Sequence, residues 1–246
     1  MNEQTATFWD HLDVLRGVII RSLLAVVVLA VIAFSLKEWL FQVVLAPRSS
    51  DFISYRLLGL ENSFQISLMN TGLTEQFMTH MRVALYAGLL LASPYILIQL
   101  FGFIAPGLYQ HERKAAMWIA TSAYLMFILG TLIDYFLIFP LTVRFLGTYQ
   151  VSPDVANMLT LQSYIDTLIS MNFIMGVVFE LPVVCAILGR LGIINRGLMK
   201  RFRRHAIVAI LIASAIITPT TDAFTLLVVA LPIWMLYEVS ILLVRK

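Results

Sequence analysis

Few side chains in this chain of 246 residues are placed to do chemistry, and the informative ones are acids. Glu112 stands in F-I-A-P-G-L-Y-Q-H-E-R-K, residues 103–114, a short charged connector between two long apolar runs. A carboxylate at such a water–lipid boundary is partly desolvated. Partial desolvation strengthens any charge-assisted pair it forms. Glu180 stands in G-V-V-F-E-L-P, inside an apolar run. An acid at mid-span costs roughly 2.5–3.5 kcal/mol on insertion scales. Something must offset that cost. Pro182 frees a backbone carbonyl one turn earlier, near Val178, which can bind water or a donor. Two readings stay open for Glu180: a satisfied intramembrane hydrogen bond, or a polar contact in a groove that receives a partner helix. A third acid, Asp13, lies in H-L-D-V-L-R, residues 11–16.

Other chemistries are disfavoured. The four histidines are scattered and no HExxH occurs, so no metal site is expected. Cys185 is the only cysteine, which excludes an internal disulfide and CxxC-type zinc sites. No P-loop and no G-x-S-x-G motif is present, and no cofactor is expected. The basic residues sit between apolar spans rather than on one solvated face, which argues against nucleic acid.

The elements that position these acids are membrane helices. The chain is 60% hydrophobic and 13% charged, against roughly 45–50% and 25% for soluble domains. Six spans can be drawn: about Gly17–Leu36, Phe77–Leu100, Ala115–Phe139, Tyr164–Leu188, Ala206–Ile217 and Phe224–Val244. Arg21, one turn inside the first, can snorkel to the near interface. Pro94 predicts a kink in the second, Pro106 and Gly107 a stop after it, and Pro140 the end of the third. The fifth is only about a dozen residues, roughly 18 Å of helix against a 30 Å hydrocarbon core. It is either re-entrant or a true crossing that thins the bilayer. Charge favours a crossing. Arg190, Arg196, Lys200, Arg201, Arg203 and Arg204 precede it, and Arg245 and Lys246 follow the sixth span. The basic bias of these connectors, with Arg16, Arg113 and Lys114, puts both termini in the cytoplasm. Lys37, Arg48, Arg56 and Arg144 fall outside. Trp9, Trp39, Tyr55, Trp118 and Tyr149 lie near span ends, as an aromatic belt does. No small-residue cleavage site follows the first apolar run, so that run is expected to stay as an anchor. The expected fold is an all-α integral membrane bundle of six helices, concave, with its last two helices short, forming one polytopic domain over residues 1–246.

Several motifs, taken in order, resemble the TatC family, the receptor subunit of the twin-arginine protein translocase. The 103–114 run resembles the family's first cytoplasmic loop. H-L-D-V-L-R resembles H-L-x-E-L-R, with Val14 where the family has glutamate and Asp13 one place earlier. L-A-P-R at 45–48 resembles the first outside loop, with Pro47 at its proline. T-E-Q-F at 74–77 resembles the opening of the second helix, and also reads as an N-cap threonine with an acid in the first turn. F-E-L-P resembles the fourth span. I-T-P-T-T-D at 217–222 resembles the last outside turn, with Asp222 at its acid, and L-Y-E at 236–238 matches the sixth span. The resemblance covers nearly the whole chain. Asp134 and Asp166 lie outside it and are expected to reach the outer interface.

The resemblance implies a non-enzymatic receptor in a bacterial inner membrane, with an organellar membrane left open. Signal-peptide binding falls to Glu112, Phe103, Asp13 and Arg16. Glu180 is an intramembrane polar or partner site, and Pro47, Pro106 and Asp222 shape loops. Implied partners are twin-arginine signal peptides of folded cargo, single-span TatA-like and TatB-like subunits, membrane lipid and further copies of the chain. The proton-motive force is the implied energy source. Arg113 and Lys114 either set topology or repel acidic segments. The alternative function is a secondary transporter of a small solute with Glu180 as the coupling carboxylate. It is weakened by the lack of an inverted repeat.

Overall fold

The computed structural model describes residues 8–60, 64–108, 113–150, 152, 154, 157–218 and 222–244. Within them, the side chains of 8–11, 101, 104–108 and 113–118 are not described. Apolar runs of this length must satisfy their backbone internally in lipid, and they do so as helices. In order these are α1 (Phe8–Ser35), α2 (Lys37–Leu45), α3 (Ile53–Leu57), α4 (Glu75–Leu108), α5 (Arg113–Ile133), α6 (Phe139–Thr148), α7 (Leu161–Val178), α8 (Leu181–Arg190), α9 (Arg196–Arg201), α10 (Arg203–Ile217) and α11 (Ala223–Leu243). Strands β1 (Leu68–Met69) and β2 (Leu159–Thr160) pair in parallel. Among the described residues five helical runs are long and apolar enough to cross a membrane. The remaining expected span is α10, with 15 residues. Of the two helices expected to be short, only α10 is. The 21 residues of α11 reach about 31 Å.

The chain divides into two compact units, Met1–Lys37 with His80–Tyr124, and Glu38–Thr79 with Leu125–Lys246. In the first, α1 packs on α4 at Gly88, where an added Cβ would come within 2.8 Å of three Ala30 atoms. Toward the start of α4 the Phe34 and His80 rings stack at 3.9 Å. The rest of α1 leaves Leu23, Leu24, Val27, Val28, Val31 and Ile32 exposed, a surface suited to lipid. The helix α4 ends at Leu108, one residue after the Pro106–Gly107 pair that was expected to stop it.

In the second unit, α5 and α7 cross at two glycines. A Cβ on Gly130 would lie 2.7 Å from the Met175 carbonyl, and one on Gly176 would lie 2.7 Å from the Phe127 ring. The third span does not end at Pro140. A π-helical turn, Asp134–Ile138, leads directly into α6 with Pro140 in its first turn. The wider turn makes room for the proline ring where regular α geometry would clash. The fourth span breaks at Phe179–Glu180, just ahead of Pro182. Helix α11 packs on α8 and α10.

Tyrosines close one end of this unit. The last carbonyls of a helix lack intrahelical donors. The Tyr135 hydroxyl donates to Val43 O (2.6 Å) and that of Tyr164 to Val44 O (3.0 Å), both in the last turn of α2. Tyr55 donates to Pro47 O (2.8 Å) and Pro140 O (2.9 Å). Tyr55 is therefore no lipid-facing belt residue: it is fully buried. Burial pushes its phenol well above the usual range, although Arg144 nearby lowers it in part. Trp39 and Tyr149 are exposed, as a belt requires. Glu75, buried at the start of α4, accepts from the Thr71 and Gly72 amides and from the Gln162 amide at the start of α7.

Candidate functional site: a recess between two helix ends

The segment His11–Arg16 forms part of α1. On a helix, residues 13, 17 and 21 share one face, with 14 and 18 beside them. That face meets the end of α4 across a recess of about 370 Å³, lined by Asp13, Val14, Gly17, Val18, Arg21, Gln99, Gly102 and Phe103. Space is open beside two glycines of the lining: a Cβ on Gly17 or Gly102 would meet nothing within 4 Å. Gln99 is held by a 2.8 Å hydrogen bond from its amide to the Tyr95 hydroxyl. Phe103 is half-buried and supplies an aromatic wall. Asp13 is exposed and sits two turns, about 12 Å, from Arg21. The recess thus has an acid toward the start of α1, a base deeper along it, and apolar surface between.

The structure brings together two of the four expected peptide-binding residues, Asp13 and Phe103. Arg16 is exposed and is not among the lining residues. Glu112 lies outside the described residues, in the short stretch between α4 and α5, and Pro106 lies in the last turn of α4. Sequence reasoning missed Gly17, Arg21, Gln99 and Gly102. The first two were accessible through their i+4 and i+8 spacing from Asp13. The others were not, because nothing local says which face of α4 meets α1.

Glu180 stands at the N-cap position of α8, at the break in the fourth span, and its side chain makes no capping hydrogen bond. Both carboxylate oxygens are shielded from solvent and have no hydrogen-bond partner among the described residues. Among the described residues, then, no hydrogen bond satisfies the Glu180 carboxylate. The remaining loop motifs are built into the scaffold. Pro47 is buried and its carbonyl receives Tyr55. Asp222 is the N-cap of α11, its Oδ1 accepting from the Thr225 amide at 2.7 Å.

Asp134 does not reach an interface. It is fully buried, and Asn172 of α7 donates to its Oδ2 at 3.0 Å and to Thr131 O at 2.8 Å. Asp166 is exposed.

Residues 10–232 match the family described as Sec-independent protein translocase protein (TatC). The TatC of Carboxydothermus hydrogenoformans is 33% identical over 246 residues, covering 100% of this chain and 95% of that one. The TatC of Deinococcus radiodurans is 36% identical over 241 residues, covering 98% and 86%. A crystal structure of the twin-arginine translocase receptor TatC superposes with a TM-score of 0.77 at 32% identity, covering 95% of this chain and 97% of that one. A second, determined in the detergent DDM, gives 0.79 at 30%, covering 96% and 100%. Agreement of sequence and fold over nearly the full length makes this multi-pass membrane protein a member of the TatC family of protein translocase subunits.

Proposed function

We propose that the chain is the receptor subunit of its translocase and takes twin-arginine signal peptides at the recess between α1 and α4. The observation that carries this is the recess itself, which joins an acid, Asp13, to an aromatic wall, Phe103, at the end of α4 that precedes Glu112. Two guanidinium groups prefer planar, bidentate carboxylate partners. Asp13 and Glu112 supply them, and Phe103 packs the apolar residues beside the arginines. Arg16, outside the recess, helps keep this end of α1 in the cytoplasm. Glu180, whose carboxylate has no hydrogen-bond partner among the described residues, suits a polar group on an arriving helix. Single-span TatA-like and TatB-like subunits dock along α10 and α11, and copies of the chain assemble in one receptor complex. The protein crosses a bacterial inner membrane six times with both ends in the cytoplasm, is not an enzyme, and draws on the proton-motive force. The solute-transporter reading has no support: none of the relatives named above is a solute transporter.

The test is peptide binding to the full chain in detergent or vesicles. Glu112→Ala is expected to lower the affinity of a twin-arginine peptide by about 10-fold or more, given roughly 1.5–3 kcal/mol for a hydrogen bond to a charged group. Replacing both peptide arginines by lysine should do the same to the wild type. Glu180→Ala should leave this first contact unchanged and impair transport. Unaltered affinity in Glu112→Ala would refute the assignment, and loss of the first contact in Glu180→Ala would refute the division of roles.

A further inference from the structure

Helix α10 is short and its approach is strongly basic. Its 15 residues span about 22 Å, some 8 Å less than a hydrocarbon core of about 30 Å. If it crosses, as proposed above, its first residues are drawn below the ordinary headgroup plane, or the bilayer thins to meet them. Six of the chain's 17 lysines and arginines stand in positions 190–204, with no acid among them. Arg203 is paired with Glu238 of α11. Arg190, Lys200, Arg201 and Arg204 are exposed and have no ion pair among the described residues.

This segment is a fixed platform. Met199 is buried against Ile241 and Val244, with Ile194, Cys185 and Tyr237 packed around it. The Tyr237 hydroxyl holds Met199 O at 2.9 Å, and Asn195 caps α9 through the Leu198 amide at 2.7 Å. Around the buried methionine the platform presents cations and apolar side chains side by side: Ile193, Leu198 and Phe202 are all exposed. In water that mixture is a liability. At an interface it is complementary to lipid, with apolar groups among the acyl chains and cations at phosphates.

We propose that residues 190–204 form a binding platform for anionic lipid headgroups, which gathers such lipids at the foot of α10 and offsets its short span. The proposal rests on the topology given under Proposed function. Its occupant is a membrane lipid, not a free phosphate or an acidic protein segment, because the exposed apolar residues demand acyl chains.

The experiment compares spin-labelled phosphatidylglycerol with spin-labelled phosphatidylcholine on the full chain in phosphatidylcholine vesicles. About fivefold enrichment is expected for each cation engaged, from the usual attraction near a charged surface. The wild type should favour phosphatidylglycerol by at least that factor. Lys200→Gln with Arg201→Gln and Arg204→Gln should lose most of the preference. Lys200→Arg with Arg201→Lys and Arg204→Lys should keep it. No preference in the wild type, or an undiminished one in the glutamine variant, overturns the proposal. So does displacement of the labelled lipid by inorganic phosphate or an acid-rich peptide beyond that caused by sodium chloride at equal ionic strength. Binding of the twin-arginine peptide, measured on the same preparations, reports separately on the receptor reading.

Discussion

Asp13 stands one position away from where a receptor of this family carries its acid, and side chains one residue apart on a helix point about 100° apart. Both Asp13 and Val14 line the recess. A carboxylate from either position can reach the same space. Asp13→Asn is therefore expected to lower twin-arginine peptide affinity several-fold. Adding Val14→Glu should restore most of the loss. Affinity indifferent to Asp13→Asn in a titration would leave Glu112 as the working acid alone. Glycine at 17 is a matching condition. Gly17→Leu points a large side chain into the opening and should weaken peptide binding without changing the amount of inserted protein, an outcome readable from the same titration. The acids were legible in the sequence as residue types out of place in an apolar chain, and Phe103 through the family resemblance of the 103–114 run. Arg21 was read only as a snorkelling charge, because local periodicity names a helix face but not what lies opposite it.

At the scale of elements, the crossing of α5 and α7 combines close approach with a buried polar pair. Gly130 and Gly176 let the helices meet, and Asn172 then reaches Asp134 and Thr131 O. Removing Asn172 leaves a fully buried acid with no donor, which costs about 1–3 kcal/mol. Asn172→Leu should accordingly lower resistance to thermal unfolding in detergent. Asp134→Leu added to it should recover part of the loss, because no buried carboxylate is then left without a donor, although Thr131 O still lacks the Asn172 amide. Non-recovery would mean that Asp134 is held by some other group. Proline behaved differently from expectation at this scale. Pro140 was read as a terminator, yet the π-helical turn ahead of it carries the helix onward to Thr148. The number and order of long spans followed from apolar run length. The π turn, the tyrosines on the α2 carbonyls and the Asp134–Asn172 pair did not, since each depends on partners distant in sequence.

For the whole molecule the open question is which side each end of α10 occupies, since 15 residues are too few for an unstrained crossing. Two opposed forces act on it. In the proposed topology the bias in charge holds the basic platform at 190–204 on the cytoplasmic side. The far end of α10 leads through a capped start into α11, which is long enough to cross by itself. If α10 crosses, the start of α11 faces outward and the end of α11 returns to the cytoplasm. If α10 is re-entrant, those two ends exchange sides. Cys185 is the only cysteine, so Cys185→Ser gives a background for single-site labelling. In intact cells a membrane-impermeant thiol reagent should label Ala223→Cys and Asp154→Cys. Lys200→Cys and Leu243→Cys should react only after the membrane is opened. Labelling of Leu243→Cys but not Ala223→Cys in intact cells would make α10 re-entrant. It would also leave the basic platform without a shortened crossing to serve.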